Sequence, residues 1–189
     1  MKAKPTKEPG GVVLEMGRRD ELLMAAANCA ARAPFRVKRV LVPIDFSDCA
    51  KKALRYAIPL AKEHEAAITL LYVVPPDYAV GEYGGFDYAA LEAEMRSSSE
   101  RDLATLAVDE VRGEVSTDML VRSGSPAFEI IEAAKELPAD VIVISTHGRT
   151  GWKHALLGSV TENVVRHAPC PVLVVREREH EFIADAGGE

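Results

Sequence analysis

The chain has 189 residues, 48% of them hydrophobic and 28% charged, with a formal net charge of −6. That balance excludes a chain disordered throughout, and the acidic excess excludes the basic footprint of a general nucleic-acid binder. Three widely spaced cysteines (Cys29, Cys49 and Cys170) form no CxxC pair, which argues against a disulfide framework or zinc site and for a reducing cytoplasm.

Residues 1 to about 18 are rich in Lys, Pro and Gly and read as a solvated tail. Asp20 to Ala33 suits a short Ala-rich helix, stopped by Pro34. Its apolar part, Leu22 to Ala33, is too short to span a bilayer. Glu15, Asp20 and Glu21 precede it where an export signal would be positive, so neither export nor a membrane anchor is expected. The expected organisation is an extension over 1–36, a domain over 37–176 and a charged tail over 177–189. That tail holds five acidic residues and one arginine.

Within the domain, Val37 to Ile44 is apolar and β-branched, which predicts a first strand. Ser47 is placed to cap a helix with Ala50, Leu54, Ala57 and Ala61 on one face, and Pro59 predicts a kink or an early end. Ala67 to Val74 is a continuous apolar run, as in a parallel strand buried on both faces. A long connection from Pro75 leads to a helix over about Ala89 to Arg112, with Leu91, Met95, Leu103 and Leu106 on one face. Val115 to Val121 alternates as a third strand. Gly124-Ser125-Pro126 is a turn with proline at a helix start, and Phe128, Ile130, Ile131 and Ala134 belong to that helix. Val141 to Ser145 is the fourth strand, and a Gly-rich loop spans His147 to Gly158. Ser159 opens a helix ending near His167, and Val172 to Val175, beyond Pro169 and Pro171, is the fifth strand. Five alternations of strand and helix imply an open, mainly parallel α/β sheet with helices on both faces. Ligands bind such sheets at the carboxyl ends of the strands, where the strand order reverses.

Neither GxxxxGK[ST] nor a GxGxxG after the first strand occurs, so P-loop and dinucleotide readings fail. The stretch from Ser145 to Thr161 follows a strand and opens a helix. Its glycines let backbone approach an anion, and Gly158 and Ser159 fall where free N–H groups favour phosphate. The Ser159 and Thr161 hydroxyls could donate further bonds, and Arg149 and Lys153 could add positive charge. The plain alternative is a loop whose Ser159 only caps its helix.

HGRTG…LLGSVTENVVRHAPCPVLVV, with VLVPIDFS at the front, resembles the universal stress protein family from about Val37 to Arg176. The resemblance implies a flavodoxin-like or Rossmann-like fold and a homodimer formed through Val172–Val175. Nucleotide-binding members carry G-x2-G-x9-G-[ST]. Gly148, Gly158 and Ser159 match that pattern, and Ser145 stands where the first glycine is expected. By the same resemblance the nucleotide-binding set is Pro43, Asp45, Val73, Ser145, His147, Gly148, Arg149, Gly158, Ser159, Val160 and Thr161. Asp45 is expected near the ribose or adenine, or else simply ends its strand and helps Ser47 cap. Val73 offers backbone to adenine, or packs in the core. The implied ligand is ATP, with Mg2+ arriving on the nucleotide. His147 and His154, without a third ligand at fixed spacing, make no metal site. Cys170 is expected to be a small buried hydrophobe. Tyr78 to Tyr88, with three tyrosines, is expected to be a lid, a dimer contact or an excursion. The leading expectation is a cytoplasmic, ATP-binding stress-response regulator. A slow ATP hydrolase or phosphoryl-transfer enzyme and a nucleotide-free interaction module are the alternatives.

Overall fold

The computed structural model describes residues 2–5, 12–15, 36–76, 88–148 and 157–177. The chain divides into two units, Met1–Arg36 and Val37–Glu189. In the first, β1 (Lys2–Pro5) pairs antiparallel with β2 (Val12–Glu15), Lys2 opposite Glu15. This corrects the reading of residues 1 to 18 as a solvated tail. Val12-Val13-Leu14 is a β-branched apolar run, and Pro9, Gly10 and Gly11 before it suit a chain reversal. The helix expected over Asp20 to Ala33 lies outside the described residues, as do the segments 77–87, 149–156 and 178–189.

The second unit runs β3 (Arg39–Ile44), α1 (Asp48–His64), β4 (Ala67–Val74), α2 (Tyr88–Leu106) and a π-helical turn (Ala107–Val111). It continues with β5 (Thr117–Ser123), α3 (Pro126–Glu136), β6 (Val141–Ser145), α4 (Ser159–His167) and β7 (Val172–Val175). The sheet order is β5-β4-β3-β6-β7, every neighbouring pair parallel. Counted within the sheet this is 3-2-1-4-5, the Rossmann order, and it reverses between β3 and β6.

Strand alternation divides the core into two layers. Val40, Val42, Ile68, Leu70, Val141 and Val143 pack with α1 and α2 residues such as Leu54, Ala57 and Leu103. Leu41, Leu71, Val73, Ile142 and Ile144 pack with Ile130, Ala133 and Ala134 of α3 and Val164 of α4. Central strands must be apolar on both faces to do this, which is why they read as unbroken apolar runs.

Three local expectations are corrected. Of the kink or early end expected at Pro59, the early end does not occur: helix α1 continues to His64. Proline denies a hydrogen bond to the carbonyl four residues back, and Arg55 and Pro59 both lie on the exposed side of α1. Met95, expected inward, is 37% exposed, and Phe128 is 59% exposed. Phe128 falls outside the stripe defined by Ile130, Ile131 and Ala134 on α3, whereas Met95 lies about three turns before Leu106 on the same side of α2 and is exposed towards that helix's start. Third, the strand expected over Val115 to Val121 runs Thr117–Ser123, because an edge strand paired on one side has weak alternation to fix its ends.

Candidate functional site

A cavity of about 310 Å³ opens at the carboxyl ends of β3, β4 and β6, on the side covered by α3 and α4. Ten of the eleven residues singled out from the sequence line it: Pro43, Asp45, Val73, Ser145, His147, Gly148, Gly158, Ser159, Val160 and Thr161. Arg149, Lys153 and His154 lie outside the described residues, as does the Tyr78–Tyr88 stretch expected to be a lid, a dimer contact or an excursion, except Tyr88, which opens α2. Sequence reasoning missed the apolar part of the wall, including Leu71, Pro126, Ile130 and Ile144. Pro126 and Ile130 reach the cavity only because α3 packs on this face, which no local pattern reports.

The floor is built by β6 and α4. Gly158 donates its N–H to the Thr146 carbonyl at 2.8 Å. A Cβ on Gly158 would stand 3.0 Å from that same oxygen, so the close approach favours glycine. The Thr161 hydroxyl donates to the Ser145 carbonyl at 2.7 Å and is buried. In this structure its hydrogen is engaged within the fold. Ser145 in turn donates its hydroxyl to the His147 carbonyl at 3.0 Å, closing the turn out of β6. The first turn of α4 has no side-chain cap, so the N–H groups of Ser159, Val160 and Thr161 and the positive end of the helix dipole stand at the cavity.

The opposite wall is set by the end of β3. Asp45 accepts hydrogen bonds on Oδ1 from the Ser47 N–H at 3.0 Å and hydroxyl at 2.6 Å. Ser47 Oγ accepts from the Ala50 N–H at 3.2 Å, capping α1. Phe46 between them has φ of 64°, a left-handed conformation unusual for a non-glycine residue, and its ring lies 5.0 Å from that of Tyr72. Asp45 Oδ2 stands 2.5 Å from where a Gly148 Cβ would be, so the loop after β6 packs directly on this carboxylate. Val73 lies one residue past the last β3–β4 pair, Ile44 with Tyr72. The Val74 carbonyl accepts from Gly124 on the β5 side, so alternation turns the Val73 carbonyl towards β3, past its end.

Among the described residues, no three His, Cys, Asp or Glu side chains group to hold a metal ion. The Cys49 thiol, near the start of α1, is pushed above its ordinary value by burial, then by the Glu177, Asp45 and Asp48 carboxylates. Cys170 is half-buried, and burial and then Asp140 raise its thiol likewise. Both shifts disfavour the thiolate and so a nucleophilic role.

A parallel sheet with helices on both faces, and a cleft at the point where its order reverses, defines a doubly wound α/β protein. Residues 36–176 match the universal stress protein family, and the chain belongs to it. It is 36% identical over 146 residues to universal stress protein MJ0531 of Methanocaldococcus jannaschii, covering 76% of this chain and 85% of that one. Among solved structures, universal stress protein UspA from Lactobacillus plantarum is similar at 30% identity and a TM-score of 0.59, over 75% of this chain and 99% of that one. A universal stress protein from Archaeoglobus fulgidus, solved in complex with dAMP, is similar at 25% identity and a TM-score of 0.51, again over 75% and 99%. Among the described residues, no helix is long and apolar enough to cross a membrane.

Proposed function

We propose that this protein binds an adenine nucleotide, ATP with Mg2+, in the cleft between β3 and β6, and acts in the cytoplasm as a homodimeric regulator of the stress response. The observation that carries the reading is the uncapped first turn of α4 at the cavity. Backbone N–H groups and a helix dipole at one end of a mainly apolar pocket suit a phosphate. The flanking chemistry suits a nucleoside. Pro43, Leu71, Val73, Pro126 and Ile130 offer apolar surface for a flat base. The Val73 carbonyl offers an acceptor for an exocyclic amino group, and Asp45 an acceptor for a sugar hydroxyl. The dAMP complex of the Archaeoglobus fulgidus relative supports adenine as the base. Mg2+ would come with the phosphates, since the described residues group no protein ligand set of their own.

Freshly purified protein is denatured and any released ligand identified by chromatography, then the protein is titrated with ATP and Mg2+ by calorimetry. A released adenine nucleotide, or saturable binding without phosphate release, is expected. Binding with Mg2+-dependent turnover would replace the regulator by a hydrolase. No ligand and no heat would overturn the proposal and turn attention to partner proteins.

A further inference from the structure

We propose that Ser47 is a positioning residue for ligand recognition: it holds the Asp45 carboxylate in the orientation that reads the sugar, while the same hydroxyl caps α1. This rests on the nucleotide reading of the cleft. The sequence presents Ser47 only as a helix cap. The geometry gives it two further tasks. Its N–H and its hydroxyl both donate to Asp45 Oδ1, at 3.0 and 2.6 Å, and the hydroxyl accepts from Ala50 at 3.2 Å. One oxygen of the carboxylate is thus anchored to a helix end that packs beneath the sheet, and the plane of the group is fixed. Its other oxygen rests against Gly148.

The backbone shows what holds this geometry. The turn passes through Phe46 at φ of 64°, a conformation that costs free energy in a non-glycine residue. Contacts on either side maintain it: the Phe46 ring on Tyr72, and the paired bonds from Ser47 to Asp45. Asp45 and Tyr72 both line the cavity. A carboxylate held this way keeps its acceptor directions before ligand arrives, and preorganisation favours binding by lowering the cost of ordering.

The test uses the full chain and two probes, ATP and 2′,3′-dideoxy-ATP, each with Mg2+, titrated into wild type, Ser47→Ala, Ser47→Gly, Ser47→Thr and Asp45→Ala. Ser47→Gly keeps a tolerated cap residue while removing the hydroxyl, so a folding defect in Ser47→Ala does not decide the matter. A hydrogen bond to a charged group governs the expected size: Ser47→Ala and Ser47→Gly weaken ATP binding roughly tenfold and dideoxy-ATP binding much less, and Ser47→Thr restores the preference. In the Asp45→Ala background, Ser47→Ala leaves ATP affinity unchanged while still lowering the melting temperature through the lost cap. Equal weakening for both nucleotides, or an undiminished Ser47→Ala effect without Asp45, would overturn the positioning role and leave the nucleotide reading intact. Wild-type protein that binds neither probe would overturn both.

Discussion

Gly148 and Asp45 compete for one volume: the place of a Gly148 Cβ is 2.5 Å from Asp45 Oδ2. Gly148→Ala must therefore push the carboxylate aside or lift the loop. Overpacking of this kind costs about 1–3 kcal/mol. Gly148 is exposed at a loop start, so the cost should fall on the site and not on the fold. Nucleotide affinity is expected to drop tenfold or more, with little change in the denaturation midpoint; an unchanged dissociation constant in calorimetry would show that Asp45 yields freely. Thr161 makes the opposite case. Its hydroxyl is spent on the Ser145 carbonyl inside the protein, so Thr161→Val strands a buried acceptor at about 1–3 kcal/mol. Thr161→Ser should recover most of that in urea unfolding, and a valine variant as stable as wild type would refute the latch. Neither role could be read from spacing alone. The motif marks Gly148 and Gly158, and Thr161 follows it in α4, but which glycine faces a carboxylate and which hydroxyl is already engaged depends on contacts between β3, β6 and α4.

The elements that proved most legible are those bounded by clear punctuation. β4, β6 and β7 fall on the expected residues Ala67–Val74, Val141–Ser145 and Val172–Val175, because each is a largely apolar run that ends at a proline or polar residue. α4 begins at Ser159 as the Gly158-Ser159 pair suggests. The failures share one cause, tertiary context overriding a local signal. Phe128 has the spacing of a core residue but falls on the solvent side of α3, and the Phe46 turn leaves no trace in composition. Pro59 is the sharpest instance. It reads as a breaker, yet α1 carries it in place on an exposed face, six residues before the left-handed stop at Glu65. Proline in a helix interior lies about 3 kcal/mol below alanine in propensity, partly offset by its restriction of the unfolded chain. Pro59→Ala is therefore expected to stabilise the protein by roughly 1–2 kcal/mol, seen as a higher urea midpoint at constant slope. A lower midpoint would mean that the proline shapes the packing of α1 on β3 and β6.

At the scale of the molecule, the two edge strands of the sheet, β5 and β7, differ in chemistry. β5 carries Asp118 and Arg122, and Arg122 is tied to Glu129 at 3.6 Å and to Glu136 on α3; these carboxylates hold the guanidinium above its ordinary range, Glu136 chiefly. Charged side chains on an edge discourage pairing with another chain. β7 has four apolar residues, Val172-Leu173-Val174-Val175, with Leu173 41% exposed. Of the two edges, β7 is the one that gains by being covered, and a second copy of the same strand supplies matching apolar side chains about a twofold axis. Leu173→Lys puts a charge on that edge without touching the cleft, whose walls come from β3, β4, β6, α3 and α4. Sedimentation equilibrium should find the wild-type chain dimeric and the lysine variant shifted towards monomer, with an unchanged far-ultraviolet spectrum. If ATP binds each monomer independently, the variant keeps its affinity. If affinity falls together with the dimer, then occupancy and assembly are linked, and by reciprocity ATP must tighten the wild-type dimer by the same factor. A variant that remains dimeric would remove β7 as the contact and leave β5 or the unit Met1–Arg36 as the surface to test.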